Sequence, residues 1–244
     1  MFPYVTEVPY ITTDQMREVD RAMVEDMHIE LIQMMENAGR NLAHLARKRF
    51  LDGNPVDKKV IILAGAGING GGAMVCARRL HCWGVNVHVF LTKPPETITG
   101  VPGLQLNILE RMNVSFAKAE EVTHVESADL IVDGIIGYGL TGAPHGTAAD
   151  LVRWANAQDT PILALDVPSG VDATRGSVFE PSIKAVATMT LALPKEGLNA
   201  PVAKKNVGEL YLADISVPLS LYTMPTIGVK VPHLFAEDEI LRIR

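Results

Sequence analysis

The chain is poor in cysteine, in aromatic residues and in long apolar runs. Its 244 residues include 2 cysteines, Cys76 and Cys82, and 5% aromatics. Two thiols six residues apart make neither a disulfide framework nor a zinc site, and they suit a reducing compartment. Apolar runs such as Val60 to Ala64 fall far short of the roughly 20 residues needed to span a bilayer. Basic residues are outnumbered 22 to 28, for a net charge of −6, which argues against a nucleic-acid or anionic-membrane surface. The first ten residues contain Glu7 and two prolines but no basic flank, unlike a secretory leader. Seven histidines form no H-x-H or H-x-x-x-H pair, so no transition-metal site is expected. The expectation is a soluble cytoplasmic protein with neither nucleic-acid nor membrane partners.

What the chain does have is apolar content, 48%, and 20 glycines. That suffices for one large domain with its own core. Thr12-Thr13-Asp14 offers N-cap oxygens to a helix over Gln15–Asp26, in which Met16, Val19, Met23 and Met27 recur at three- and four-residue spacing. A second helix runs from Glu30 or Leu31 to about Phe50. Short apolar runs then alternate with helical stretches. Strands are predicted at Val60–Ala64, Asn86–Leu91, Val114–Phe116, Ala128–Asp133, Pro161–Asp166, Ala185–Leu193 and Glu209–Leu212. Helices are predicted at about Gly71–Trp83, Leu104–Met112 and Thr147–Gln158, with a loop at Pro94–Gly103. This alternation predicts an α/β fold, a parallel sheet wrapped by helices on both faces. No linker divides it. Residues 218–244 have no such pattern and read as a surface arm or an oligomer contact.

Three strand ends carry chemistry. Gly65-Ala66-Gly67-Ile68-Asn69-Gly70-Gly71-Gly72 holds five glycines in eight residues, and it satisfies G-x-G-x-x-G between a strand and a helix. The acid that a dinucleotide fold places about 20 residues further on is missing, since Phe90 to Lys93 reads Phe-Leu-Thr-Lys. An ordinary NAD-dependent dehydrogenase is therefore disfavoured, and a P-loop is too, because no Gly-Lys-Ser/Thr follows. The turn is either a phosphate cradle of backbone amides and a helix N-terminus or simply a tight connection. Asp133 opens the second segment, Gly134 to Gly146. Asp166-Val167-Pro168-Ser169-Gly170 is the third, in which Pro168 restricts Val167 to extended geometry. Carboxyl ends of strands face the ligand crevice in doubly wound sheets. Asp166 is either a catalytic acid–base or a structural acceptor for glycine-loop amides. Lys195 reads as a phosphate contact or a strand-end cap.

Taken together, these segments resemble the NAD(P)H-hydrate epimerases, the YjeF N-terminal domain family. The resemblance covers about residues 10–217 of one 1–244 domain. It rests on Gln15-Met16-Arg17, Met35-Glu36-Asn37-Ala38-Gly39, the glycine loop, Ala77-Arg78-Arg79-Leu80, and Gly137-Tyr138-Gly139-Leu140-Thr141-Gly142. Its most specific elements are Asp166 to Ala173 and Pro194 to Leu198. The resemblance implies a three-layer αβα Rossmann-like homodimer that interconverts the R and S forms of hydrated NADH and NADPH, a nicotinamide nucleotide repair reaction. It implies one potassium ion per subunit, held by Asn69, Asp133 and Ser169. It implies substrate contacts from Ile68, Asn69, Gly70, Gly71 and Gly72, from Gly137, Tyr138, Gly139, Leu140, Thr141, Gly142 and Ala143, and from Asp166, the candidate catalytic residue. The family loop usually reads Gly-x-Gly-Asn-Asn-Gly-Gly-Asp-Gly; Ile68, Gly72 and Ala73 depart from it. With Ile68 and Gly72 in that loop, the alternative is a non-catalytic nucleotide-binding or scaffold module on the same fold.

Overall fold

The structure is a computed structural model, and it describes residues 2–124 and 127–244. Two helices open the chain, α1 (Thr13–Glu25) and α2 (Leu31–Arg49). Thr12 caps α1: its Oγ1 accepts Gln15 N at 3.1 Å, and Gln15 Oε1 accepts Thr12 N at 2.8 Å. This reciprocal box closes two of the orphan amides at the helix start. Met16, Val19 and Met23 are buried, as their spacing predicts, but Met27 lies past the last turn and is 41% exposed.

The strands are β1 (Lys59–Ala64), β2 (Asn86–Leu91), β3 (Ser115–Lys118), β4 (Leu130–Gly134), β5 (Ile162–Leu165), β6 (Ala187–Leu191), β7 (Glu209–Ala213) and β8 (Ile240–Arg242). They form one sheet in the order β3-β2-β1-β4-β5-β6-β7-β8, parallel throughout except for β8. The order reverses between β1 and β4. That is the switch point at whose carboxyl edge a doubly wound sheet opens a crevice. The remaining helices are α3 (Ile68–Cys82), α4 (Gly100–Arg111), α5 (Gly146–Asn156) and two short turns, α6 (Lys204–Val207) and α7 (Leu219–Tyr222).

Alternation along each strand sorts side chains to the two faces. Val60, Ile62 and Ala64 of β1 pack with α2, α3 and α4, whereas Ile61 and Leu63 pack with Leu151 and Val152 of α5. Over β7, Leu210 and Leu212 meet Met16, Val19 and Met23 of α1. The three-layer α/β expectation therefore holds. Among the described residues no helix is long and apolar enough to cross a membrane.

Three expectations change. Helix α3 starts at Ile68, not near Gly71. Glycine has low helix propensity, so the sequence pattern shortens the helix. The tertiary reason for the glycines is close approach: a Cβ on Gly70 would lie 1.8 Å from the carbonyl oxygen of Gly65. Helix α4 starts at Gly100, inside the predicted loop. The tail is part of the sheet: β8 pairs antiparallel with β7 in the register Tyr211↔Arg242 and Ala213↔Ile240. On its other side Val5 N donates to Arg242 O at 2.9 Å, and Arg242 N donates to Pro3 O at 2.8 Å. Three residues are too few to show an alternating pattern, so the partner strands decide this one.

α2 and α3 cross closely at Gly39, where a Cβ would sit 2.4 Å from Val75 Cβ and 2.5 Å from Gly72 O. Gly39→Ala is expected to cost about 1–3 kcal/mol by overpacking. Chemical denaturation should show a lower midpoint with an unchanged slope.

Candidate functional site

Asp133 is the penultimate residue of β4 and is fully buried, at 0% exposure. Its Oδ1 accepts Ile135 N at 3.1 Å and the Ser169 hydroxyl at 2.7 Å, and its Oδ2 accepts Ser169 N at 2.8 Å. Ser169 Oγ in turn accepts Ile136 N at 2.9 Å. Among the described residues every donor to Asp133 is neutral. Burial pushes the Asp133 carboxyl up to about 6, against the pull of the Ser169 and Ile135 hydrogen bonds.

Asp166 follows β5 and is 3% exposed, with its backbone at φ +66°. Few side chains tolerate that left-handed region, aspartate more often than most. The conformation is held by Asp166 N, which donates to Met189 O at 2.7 Å, and by Val167 N, which donates to Leu165 O at 2.9 Å. The side chain faces a cation that the sequence reading weighed only lightly. Lys195, at 0% exposure, donates from Nζ to Asp166 Oδ1 at 2.6 Å and to Leu191 O at 3.0 Å. Asp166 Oδ2 accepts Tyr138 N at 3.0 Å. Of the two sequence readings of Asp166, the amide-acceptor role is thus present, and it leaves acceptor capacity on Oδ2.

That capacity faces Gly137. A Cβ on Gly137 would lie 3.1 Å from both Asn69 Oδ1 and Asp166 Oδ2. The missing side chain leaves a notch walled by two acceptor oxygens, which suits a hydroxyl, a water or a cation. Asn69 is itself held by Nδ2, which donates to Leu165 O at 3.3 Å.

Tyr138 is pinned three ways. Its amide binds Asp166, its hydroxyl donates to Asp20 of α1, and the Lys195 ammonium sits 5.5 Å from its ring centroid. Burial raises the Asp20 carboxyl, a shift opposed by the Tyr138 hydrogen bond, and burial together with the Asp20 charge raises the Tyr138 phenol. Asp20 was missed in sequence, although it stands on the same stripe as Met16 and Met23, where an acid is out of place. The signal for Lys195 was similar, since eight uncharged residues, Ala187 to Pro194, lead into it.

Other predicted residues lie elsewhere. Ile68 begins α3 at 57% exposure, while Gly71 and Gly72 are buried in that helix, against Met35 and against Leu165. Leu140, Thr141, Gly142 and Ala143 line a cavity of about 430 Å³ together with Thr92, Lys93 and the start of α5. A second cavity of about 400 Å³, between the ends of β6 and β7 and the tail, includes Tyr222 and Phe235 and none of the predicted site residues.

Removing one member of a buried ion pair strands the other. Lys195→Met is expected to lower stability by about 3–5 kcal/mol. Adding Asp166→Asn to that variant should recover part of the loss, as read from urea midpoints in a double-mutant cycle.

The family model for the YjeF-related protein N-terminus matches residues 31–197. NAD(P)H-hydrate epimerase of Dehalogenimonas lykanthroporepellens is 42% identical over 217 residues, which is 87% of this chain and 84% of that protein. NAD(P)H-hydrate epimerase of Rhodopirellula baltica is 32% identical over 224 residues, 91% of this chain and 90% of that one. The crystal structure of yeast ynu0 superposes with a TM-score of 0.79 at 25% identity, covering 97% of this chain and 100% of that one. The chain belongs to the family of the YjeF-related protein N-terminus.

Proposed function

We propose that the protein is an isomerase that interconverts the R and S forms of hydrated NADH and NADPH. The epimerase names of the relatives support this over the non-catalytic module. The observation that carries the chemistry is the buried Asp166 carboxyl beside the Gly137 notch. Inversion at C6 of the hydrated ring needs its C–O bond to break and a water to add from the other face. The ring nitrogen supplies the electron pair that expels the hydroxyl. In its acid form Asp166 delivers a proton to the leaving oxygen, which departs as water, and recovers one from the water that adds to the other face, so the carboxyl ends the cycle as it began. Lys195 holds Oδ1 and leaves Oδ2 facing the notch.

The reading includes a potassium ion near the substrate's phosphates. Asn69 Oδ1, Asp133 and Ser169 are hard oxygen donors of the kind such a cation takes, and Asp133 is buried among neutral donors only. The ion would supply the positive charge that this carboxylate lacks and would favour an anionic group beside it. The reading also includes contacts from Ile68–Gly72 and Gly137–Ala143, a homodimer, and cytoplasmic residence, for which two free cysteines are the support.

Pure R epimer should equilibrate with S faster than it does spontaneously, followed by chromatography. Asp166→Asn should lose about 10²-fold or more, the usual share of general acid–base catalysis. A wild-type rate equal to the background would sink the proposal.

Potassium makes a pH-dependent prediction. Asp133 rises on folding from 3.8 to about 6, so without the ion it contributes stability that is present below pH about 4 and lost as the pH rises through about 6. The ion competes with that proton. Its thermal stabilisation should therefore be small at pH 5 and larger at pH 7.5, with lithium as the control.

A further inference from the structure

The end of β2 is where a dinucleotide fold places the carboxylate that binds the ribose 2′-hydroxyl, and this chain has no acid there. β2 ends at Leu91. Thr92 N continues the ladder by donating to Ala64 O at 3.0 Å, which roots Lys93 beside the first glycine turn. Thr92 and Lys93 both line the 430 Å³ cavity, whose far wall is the Gly139–His145 loop. Among the described residues no lining residue is acidic, and Lys93 and His145 are the ionisable ones. A cavity without an acid is notable in a chain with 28 acidic residues and 22 basic ones. Among the described residues, the exposed Lys93 has no ionic partner.

We propose that Lys93 is a specificity-determining residue that receives the 2′-phosphate of a phosphorylated dinucleotide, so that hydrated NADPH is preferred over hydrated NADH. An acid at this position would repel a phosphate monoester, whereas an ammonium attracts it as a point charge. The Thr92 hydroxyl beside it can donate as well. The pyrophosphate is common to both dinucleotides, so a lysine serving the pyrophosphate would create no preference. The choice of hydrate rests on the epimerase reading; the 2′-phosphate site does not.

The test compares kcat/KM for the two hydrates in the full chain and in Lys93→Met and Lys93→Glu, alongside calorimetric binding of 2′,5′-ADP and of ADP. Lys93 is exposed, so neither substitution disturbs the core. The wild type should prefer the NADPH hydrate by about tenfold or more, as for a hydrogen bond between charged groups. Lys93→Met should bring the ratio near one by losing only the phosphorylated substrate, and Lys93→Glu should invert it. 2′,5′-ADP should bind more tightly than ADP to the wild type and no more tightly to Lys93→Met. Equal affinity of the wild type for both nucleotides overturns the proposal, as does equal weakening of both by Lys93→Met. If neither hydrate turns over while the nucleotide preference and its loss are seen, the epimerase reading falls and the 2′-phosphate site stands.

Discussion

The carboxyl edge of the sheet depends on one ion pair buried away from water. Taking an ammonium and a carboxylate out of solvent costs several kcal/mol each unless their hydrogen-bonding capacity is met. Here it is. Lys195 Nζ reaches Asp166 Oδ1, Leu191 O and, at 3.5 Å, Thr190 Oγ1, while Asp166 Oδ2 takes the Tyr138 amide. The pair thereby ties the end of β5 to the turn after β6 and to the glycine loop after β4. It also explains how Asp166 can stay in a left-handed backbone conformation, because its side chain is committed on both oxygens. The notch at Gly137 is a by-product of this commitment: the loop is drawn towards Asp166 Oδ2, and a Cβ at this position would press on both that oxygen and Asn69.

Three acids share this edge and meet three environments. Asp166 has a cation, Asp20 has the Tyr138 phenol, and Asp133 has only neutral donors. The distinction matters for chemistry at the edge. A carboxylate with a fixed cation already has its charge balanced. One ringed by neutral donors is a place for a further positive charge. Asp20 reaches the edge from α1, which precedes the stretch matched by the family model, so the helix that covers β7 also orders the loop after β4. The same sorting of charge leaves the described lining of the Lys93 cavity without acids although the chain as a whole is negative.

Much of the fold is legible in sequence because each β–α unit carries its own local signal. β1 is a continuous apolar run closed by glycine, and α1 announces itself by Thr12, Gln15 and the Met16–Val19–Met23 spacing. Legibility fails where a residue's role is set by a partner distant in the chain. The glycines of α3 look like a broken helix until Gly65, Met35 and Leu165 stand against them. Ile240–Arg242 looks like a tail until β7 and Val5 pair with it. The candidate site divides in the same way. Asp133 and Asp166 can be found from strand ends, and Asn69 and Ser169 are implied by the family resemblance, whereas Lys195 and Asp20 stand out as charged residues at buried positions.

By itself the sequence determined the order of elements, the parallel sheet, and which strand ends carry glycine and acid. These follow from periodicity and backbone freedom, which are properties of neighbouring residues. Tertiary structure alone decided which acid received a cation, which stayed among neutral donors, and which side of the crevice lost its acids. Those outcomes depend on burial and on distances between side chains far apart in sequence, because the energy of a charge is set by what surrounds it and not by what precedes it in the chain.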